Sequence, residues 1–520
     1  MDRAIRLVLL SIVAVAGAGA GPDTFLLPPL VREAAAETGF RPAAVAGSFY
    51  PADPSQLEAA VRAYLADARP PAPERPLALL VPHAGYIYSG QTAADAYRQA
   101  AGHDYDVIVI LGVNHRVAGF QGVSVYDGPG YETPLGTAHC DQRLAASLRA
   151  LDRRFAYRRD VDRNEHSVEV QIPFVQTVFP ATPIVAAVVG GQDQDLWREF
   201  GEALASVLAR RQALIVVSSD LSHYPPHDVA LAADRAVLAA VATIDPAVVI
   251  RTIDREESSQ RPGFATCACG EGPLVAALVA VRKLGATRAT VVSYANSGDA
   301  AVGDRTRCVG YGAVAVTAGD RLSDTAALRD VEVAPADAPL TEQERGAMLA
   351  FARKTLRQYF ATGTTPLFRS SSPILNRYQG AFVTLKAQGR LRGCIGHMAA
   401  DTPLGQVVGA MAINAAFRDD RFRPLQSEEM DQITIEISVL TPFAPIAGAD
   451  EIVLGRDGVV IRQGDRSAVF LPQIASEQGW SREEMLAHLC RKAGLTADAW
   501  REGAQLLTFQ ADVFGEPGPR

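Results

Sequence analysis

The amino-acid sequence predicts an α/β protein with a mainly parallel sheet sandwiched by helices, followed by a smaller α+β domain. Between residues 42 and 318, short apolar runs that end at glycine, serine or histidine segments alternate with helical stretches. Continuous apolar strands of this kind are typical of a parallel sheet that is buried on both faces. A chain of 520 residues is also too long to fold around a single hydrophobic core, so we expect at least two domains.

The strands and helices of the first domain are predicted from their apolar periodicity. Buried strands are predicted over residues 77–81, 107–111, 184–189, 214–217 and 290–294. Helices are predicted between some of them, over residues 56–65, 200–209 and 231–242. This alternation is the βαβ pattern that builds a parallel sheet.

The second domain is predicted to cover residues 341–516. It follows residues 319–340, which are rich in acids, alanine and proline and are predicted to be a linker. Thr341 and Glu344 have the spacing of a capping box, which predicts a helix through Tyr359. Ser481 and Glu484 predict a late helix in the same way. Strands are predicted over residues 380–386, 433–439 and 458–462.

The N-terminus is predicted to be a secretory signal over residues 1–20, with a spacer over residues 21–41. Arg3 and Arg6 precede an apolar run that ends in Ala18-Gly-Ala20, as in a signal peptide with its cleavage site. The run falls short of the ~18 apolar residues expected of a spanning helix. We therefore expect an exported or periplasmic protein, or one tethered by an uncleaved signal. A cytoplasmic protein is the alternative if this segment is not a signal.

The composition narrows the classes of partner. A net charge of −8, with no dense run of lysine and arginine, argues against nucleic acid or an anionic membrane as the main partner. Six cysteines in such a length do not make a disulfide scaffold. The sequence has neither a G-x-G-x-x-G motif after a strand nor a P-loop, so neither a dinucleotide nor an ATP site is predicted.

His83, His115 and Cys269 are predicted to form a metal site. The two histidines follow the strands predicted over residues 77–81 and 107–111, and Cys269 precedes an apolar helical run. The carboxyl ends of parallel strands share one crevice, which would bring these side chains together. Two imidazoles and a thiolate would leave open coordination positions, as in a catalytic site. The alternative is that Cys269 is a small buried apolar residue.

Three more residues are predicted to lie at the same crevice. Asp220 and His223 follow the strand over residues 214–217, so His223 is a candidate general acid/base and Asp220 a candidate positioning group. The alternative is that Asp220 caps a turn. His166 begins an amphipathic segment, and the preceding Glu165 could hold a histidine tautomer. Helix capping by Asn164 would explain this segment almost as well.

The second domain has its own candidate site at Arg392, Cys394 and His397. Arg392 is a planar cation suited to carboxylate or phosphate. A thiol paired with an imidazole three residues away could be a nucleophile if the chain turns there. A strand edge with a buried cysteine and tightly packed glycines is the alternative interpretation.

Several of these motifs resemble known families in the same order along the chain. The first domain resembles the Memo family, relatives of the class III extradiol dioxygenases, in Ala46-Gly-Ser-Phe-Tyr-Pro51, Val81-Pro-His-Ala-Gly-Tyr86, Gly112-Val-Asn-His115, Glu165-His-Ser-Val-Glu-Val-Gln171, Ser218-Ser-Asp-Leu-Ser-His223 and Cys269-Gly270. The second resembles the AMMECR1 family in Leu391-Arg-Gly-Cys-Ile-Gly396 and Ala416-Phe-Arg-Asp-Asp-Arg-Phe422.

The resemblance implies a fusion of two components of the AmmeMemoRadiSam system, with a radical-SAM protein as the expected partner. It also implies iron on His83, His115 and Cys269, and a dioxygenase-like oxidoreductase. Zinc and copper are alternatives, because a thiolate replaces the carboxylate ligand of the dioxygenases and favours softer metals. A zinc-dependent hydrolase and a non-catalytic module that binds a phosphopeptide are the alternative functions. The expected substrate is either a small molecule or a peptide.

Overall fold

The computed structural model describes residues 39–259, 261, 263–319, 323–335 and 337–517. The predicted signal and most of the predicted spacer lie outside the described residues. The chain divides into two compact units. Of the described residues, the first unit contains those up to Gly298 and those within Asp304–Arg329, and the second contains Asp299–Gly303 and those from Asp330 onward. Within the described part of the chain, every helix is too short or too polar to cross a membrane.

The first unit is built on a seven-stranded mixed sheet. Its strands are β1 (Pro76–Val81), β2 (Val107–Val113), β3 (Val123–Val125), β6 (Ile184–Val189), β7 (Ala213–Ser218), β8 (Arg288–Asn296) and β9 (Gly310–Thr317), and β4 (Gly130–Thr133) and β5 (Gly136–His139) form a separate hairpin. The order across the large sheet is β3-β6-β2-β7-β1-β9-β8. The four central strands, β6, β2, β7 and β1, pair in parallel, which confirms the predicted parallel arrangement at the centre of the sheet.

Helices cover both faces of this sheet. They are α1 (Pro54–Ala66), α2 (Tyr86–Ala100), α3 (Gln142–Leu151), α4 (Arg159–Asp162), α5 (His166–Glu169), α6 (Ile172–Val178), α7 (Gln194–Leu208), α8 (His227–Val241), α9 (Pro246–Ser258) and α10 (Glu271–Lys283). Successive strand residues enter opposite cores: Ile108 and Ile110 pack with α1 and α2, whereas Val109 and Leu111 pack with α7 and α10. Both faces are buried, which explains why the strands are continuously apolar.

The edges of the sheet differ from a purely parallel arrangement. The strand predicted over residues 290–294 forms as β8 but runs antiparallel to β9, which in turn runs antiparallel to β1. At the other edge, β3 runs antiparallel to β6. A short apolar run does not encode its own direction, because parallel and antiparallel pairing place the same residues on each face of a sheet.

The second unit has two four-stranded antiparallel sheets and is α+β, as predicted. The first sheet has the order β11-β10-β12-β17 and the second β13-β16-β14-β15. The strands are β10 (Ala381–Ala387), β11 (Arg390–His397), β12 (Ile433–Leu440), β13 (Ala444–Pro445), β14 (Gly458–Gln463), β15 (Arg466–Phe470), β16 (Gln505–Phe509) and β17 (Ala511–Gly515). The helices are α11 (Glu342–Thr362), α12 (Leu404–Phe417), α13 (Pro472–Gln478) and α14 (Arg482–Lys492).

Both capping boxes predicted for this unit are present. The Thr341 side chain accepts a hydrogen bond from the Glu344 backbone, and the Glu344 side chain accepts one from the Thr341 backbone. Ser481 and Glu484 make the same reciprocal pair at the start of α14. These contacts satisfy backbone N–H groups that have no partner inside the helix, so the two boundaries could be located from sequence alone.

Gly201 allows the close contact between α7 and α10. A Cβ atom at this position would lie 2.4 Å from the carbonyl oxygen of Ala276 and 2.8 Å from Cβ of Val279. Backbone atoms cannot move aside cheaply, so we expect Gly201→Ala to lower the free energy of unfolding by about 1–3 kcal/mol. Differential scanning calorimetry of the full chain would measure this as a lower transition temperature for the first unit.

Gly346, on the exposed face of α11, is the matched control. A Cβ atom there would meet nothing within 4 Å, so Gly346→Ala should stabilise the second unit by up to about 1 kcal/mol, because alanine has the higher helix propensity. Equal effects of the two substitutions would contradict the proposed steric role of Gly201.

Candidate metal centre

The carboxyl ends of three neighbouring strands carry the candidate site. His83 follows β1, His115 follows β2, and Asp220 and His223 follow β7, which lies between β1 and β2. Cys269 lies directly before Gly270, the N-cap of α10. The central strands are parallel, so their carboxyl ends meet at one edge, where ligands bind in open α/β sheets.

Three histidines lie within reach of one ion, and the Cys269 thiol contacts two of them. Nε2 of His83 is 3.3 Å from Sγ of Cys269, and His115 also hydrogen-bonds the thiol. His83, His115 and His166 each offer a ligand atom, and these three atoms lie within 4.8 Å of one another. The His115 and His166 rings are stacked with centroids 4.6 Å apart. His166, predicted as a catalytic residue, therefore lies among the candidate metal ligands.

The environment favours the thiolate form of Cys269. Burial alone raises the pKa of the thiol, but the positive charge of His83 and hydrogen bonds from His115 and His83 outweigh burial and lower this pKa to about 6. The thiol is therefore mostly ionised at neutral pH, and a thiolate is the form that binds metals. The other cysteine of this segment, Cys267, is fully buried, and burial raises its pKa.

Glu165 fixes the orientation of His115. Its carboxylate is 1% exposed and accepts hydrogen bonds from Nδ1 of His115 at 2.9 Å and from the His115 backbone N–H at 2.7 Å. The carboxylate can only accept, so Nδ1 of His115 carries a proton whether the ring is neutral or charged, and Nε2 faces the cluster. The positive charge of His115 holds the pKa of Glu165 well below its usual range, although burial opposes this.

The same carboxylate caps α5. It accepts hydrogen bonds from the backbone N–H groups of His166 and Ser167, both at 2.9 Å. The capping role suggested for Asn164 is therefore filled by Glu165, because the longer side chain reaches the first turn from the N-cap position itself. The predicted amphipathic segment also divides into two short helices, α5 and α6.

The chain segment before α1 packs against the cluster from outside. The Phe49 ring lies 4.7 Å from the His166 ring. Buried Glu169 accepts hydrogen bonds from Nη1 of Arg41 at 2.8 Å and from the Tyr50 hydroxyl at 2.7 Å. It also accepts the backbone N–H of Val45. These contacts fix the segment against α5 and limit the access of water to His166.

Asp220 and His223 complete the polar groups at this edge. Oδ1 of Asp220 accepts the backbone N–H of His83 at 2.8 Å, so this carboxylate positions a candidate ligand and does more than cap a turn. His223 Nδ1 donates to the Leu221 carbonyl at 3.0 Å, which leaves its Nε2 as an acceptor. Burial lowers the pKa of His223, so its neutral form, which can accept a proton, predominates at neutral pH.

The donor set fits a soft or borderline divalent metal. It combines imidazole nitrogens with an ionised thiolate, which is the chemistry of zinc, copper and iron sites. Nδ1 of His166 is buried and makes no hydrogen bond among the described residues, although it lies 3.3 Å from Oε1 of Glu165; a buried polar atom of this kind usually has a hydrogen-bond partner. The three histidines could therefore hold a metal ion, and the Cys269 thiolate lies against two of them.

Comparison with known proteins supports both resemblances. The sequence model described as Memo-like protein matches residues 41–315, more than half of the chain. This chain belongs to the Memo-like family. The model described as AMMECR1 matches residues 349–514, so the protein combines a Memo-like unit with an AMMECR1 domain.

Two relatives described as MEMO1 family proteins agree with the Memo-like assignment. A MEMO1 family protein of Methanopyrus kandleri is 36% identical over 289 residues, which cover 53% of this chain and 98% of the relative. A MEMO1 family protein of Aquifex aeolicus is 36% identical over 278 residues, covering 52% of this chain and 97% of the relative. The crystal structure of an uncharacterized protein from Pyrococcus horikoshii is 37% identical, with a TM-score of 0.32, and covers 33% of this chain and 93% of that one.

The AMMECR1 signature forms the edge of a sheet. β11 pairs with β10 alone, and the backbone of Cys394 on its open side is satisfied by side chains. The Cys394 N–H donates to Asp419 at 2.8 Å, and Arg421 donates to the Cys394 carbonyl at 3.1 Å. Arg392 makes a bidentate contact with Glu429 at 2.9 and 3.0 Å, so its guanidinium already has a carboxylate partner.

The thiol–imidazole pair considered for Cys394 and His397 does not form. Both residues lie on β11, where side chains three apart point to opposite faces because the strand does not turn. Nε2 of His397 lies 2.5 Å from Asp401, and the Cys394 thiol accepts a hydrogen bond from the Thr384 hydroxyl at 3.2 Å. The strand-edge interpretation describes this segment, except that Cys394 is half-buried and not buried. The glycines pack closely, as expected: a Cβ at Gly393 would lie 2.1 Å from the Ala415 carbonyl oxygen.

Ser218 contacts the histidine cluster and Gln171 contacts Ser218, but neither residue is predicted from the sequence as a site residue. Ser218 is the last residue of β7 and hydrogen-bonds His83, and Gln171 hydrogen-bonds Ser218. Their positions inside the quoted motifs were the only signal, because a buried serine and a buried glutamine have no chemistry of their own that singles them out.

The ionised thiol predicts how metal-free protein reacts with iodoacetamide. We expect the alkylation rate of Cys269 to rise with pH and reach half its maximum near the thiol pKa of about 6, because only the thiolate reacts. In His83→Gln the half-maximum should move up by about one pH unit or more, since a neighbouring positive charge is lost. Peptide mapping by mass spectrometry would follow Cys269 separately from the other five cysteines.

His139→Gln provides the matched control, because this histidine lies on β5 and contacts Phe40 rather than the cluster. Its half-maximum should equal that of the unaltered protein. If the alkylation rate of His83→Gln also reached half its maximum at the pH of the unaltered protein, this would contradict the electrostatic cause given for the low thiol pKa.

Proposed function

We propose that the Memo-like unit is a mononuclear iron-dependent oxidoreductase whose metal is held by His83, His115 and Cys269. The observation that carries this proposal is the contact of 3.3 Å between Sγ of Cys269 and Nε2 of His83, one of a group of three histidines that could hold a metal ion. A bound iron ion would supply redox chemistry at its open coordination positions. The resemblance to relatives of the extradiol dioxygenases favours iron over zinc and copper.

Residues of this chain would orient and deprotonate a substrate. His223 has an available Nε2 and a lowered pKa, so it is the candidate general base. Asp220 interacts electrostatically with both His223 and His115, which suits a role in positioning these two rings. His166, stacked on His115, would act either as a further nitrogen donor or as a contact for the substrate.

A radical-SAM protein is the partner that we propose, and its support is the resemblance to the AmmeMemoRadiSam system alone. The AMMECR1 domain would bind this partner or the substrate. Export by the N-terminal segment is likewise a proposal, and fusing residues 1–25 to a reporter would test it. A reporter found only in the cytoplasm would contradict export.

Metal analysis tests the proposed function. We expect anaerobically purified protein to contain near-stoichiometric iron by inductively coupled plasma mass spectrometry. His83→Ala and Cys269→Ser should each lose most of this iron, because each removes one of three ligands. His103→Ala is the control for a histidine outside the cluster and should keep it.

The other outcomes separate the alternative functions. Stoichiometric zinc, lost in the same variants, would contradict an oxidoreductase and favour a zinc-dependent hydrolase. A folded wild type that takes up no metal would favour a module that binds a phosphopeptide or another ligand.

His223→Ala distinguishes a base from a ligand. We expect this variant to keep the metal content of the wild type, since His223 is outside the group of three histidines. Its turnover of a substrate, once one is found, should fall by about 100-fold or more. Loss of the metal in His223→Ala would show that this residue is a ligand and would contradict its assignment as the general base.

A further inference from the structure

The hydroxyl of Ser218 lies at the centre of a buried hydrogen-bond network behind His83. Three groups surround its Oγ atom: the Ser167 carbonyl at 2.6 Å, Nε2 of Gln171 at 2.9 Å and Nδ1 of His83 at 3.0 Å. Ser218 is 0% exposed, Gln171 is 1% exposed and His83 is 2% exposed. Water therefore cannot replace any of these partners, and each proton must be assigned within the network.

The orientation of the Gln171 amide is fixed independently. The atom assigned as Nε2 also lies 2.9 Å from the Pro82 carbonyl, which can only accept a hydrogen bond. The other amide atom, Oε1, lies 3.1 Å from the Tyr97 hydroxyl, which donates to it. The amide nitrogen therefore faces both Pro82 and Ser218, and Gln171 donates to the serine.

The single proton of Ser218 is then also assigned. The Ser167 carbonyl is an acceptor, so the hydroxyl donates to it, and the two lone pairs of Oγ accept the remaining contacts. One lone pair receives the Gln171 N–H. The other receives Nδ1–H of His83, because a hydroxyl that has already donated its proton offers His83 only an acceptor.

We propose that Ser218, oriented by Gln171 and Ser167, is a positioning residue that holds His83 in the Nδ1–H tautomer and so directs its Nε2 lone pair at the metal. This inference rests on the proposed function, since it assigns His83 as a ligand. The tautomer matches the one that Glu165 imposes on His115. The first turn of α5 thus controls both rings, through the side chain of Glu165 and the carbonyl of Ser167.

Cobalt binding tests the role of Ser218 in metal affinity. Co²⁺ alone would be titrated into the full metal-free chain, and its thiolate charge-transfer band would report binding at Cys269. Ser218→Ala removes the acceptor for Nδ1–H and should weaken binding by about 10–100-fold, as loss of a hydrogen-bond partner of a metal ligand typically does. Ser218→Thr keeps the hydroxyl and should restore most of the affinity.

Ser124→Ala is the matched control. Ser124 is a buried strand serine of the same sheet that also accepts one N–H, from Arg158, and donates to one carbonyl, that of Arg158. It should bind Co²⁺ as tightly as the wild type. Thermal unfolding of each variant would separate a change in affinity from a loss of folding.

The tautomer itself is measurable without any metal. Nitrogen-15 NMR of histidine-labelled, metal-free protein, at a pH where His83 is neutral, should show its proton on Nδ1. The signal would be assigned by its loss in His83→Asn. In Ser218→Ala the proton should move in large part to Nε2, a change that a merely structural serine would not cause.

The outcomes distinguish this inference from the proposed function. If the wild type binds Co²⁺ and Ser218→Ala binds it equally well with an unchanged tautomer, the role of Ser218 is overturned and the metal site stands. If the wild type binds no Co²⁺, the proposed metal function fails, and the role of Ser218 as a ligand-positioning residue is overturned with it. A proton on Nε2 of His83 in the wild type would overturn the inference directly.

Discussion

One buried carboxylate, that of Glu165, is the constraint on which the candidate site depends. Its two oxygens accept four N–H groups, two from His115 and one each from His166 and Ser167. These contacts tie the end of β2 to the first turn of α5. An ionised carboxylate at 1% exposure is costly unless every lone pair is used. The network therefore tolerates little displacement of the His115 ring or of the first turn of α5.

The charges of the cluster compensate one another. The Glu165 carboxylate and the Cys269 thiolate face the imidazoles of His115 and His83. Burial lowers the pKa of His115, but these negative partners outweigh burial and raise it to about 10. In the metal-free protein, protons on the imidazole rings thus balance the negative charges of the Glu165 carboxylate and the Cys269 thiolate. Binding of a divalent cation would displace these protons, which couples metal affinity to pH.

The two units use acidic side chains for different purposes. In the Memo-like unit, Glu165 and Asp220 hold the backbone and rings of candidate metal ligands. In the AMMECR1 domain, Asp419 and Glu429 instead bind the open side of β11 together with Arg421 and Arg392. An exposed strand edge can pair with another chain, and charged side chains on that edge prevent this. The signature of the second unit is therefore explained by its sheet edge.

Sequence alone determined the apolar strands, both capping boxes and the crevice residues His83, His115 and Cys269, because strand periodicity and strand-end position are local properties. It also indicated that Glu165 could orient a histidine. Only the tertiary structure decided which partner each ring has, since Ser218 and Gln171 reach His83 from distant parts of the chain. The tertiary structure also decided three further features: the direction of β8 and β9, the place of His166 among the nitrogen donors, and the separation of Cys394 from His397. Each depends on long-range pairing or on strand geometry that residue spacing does not encode.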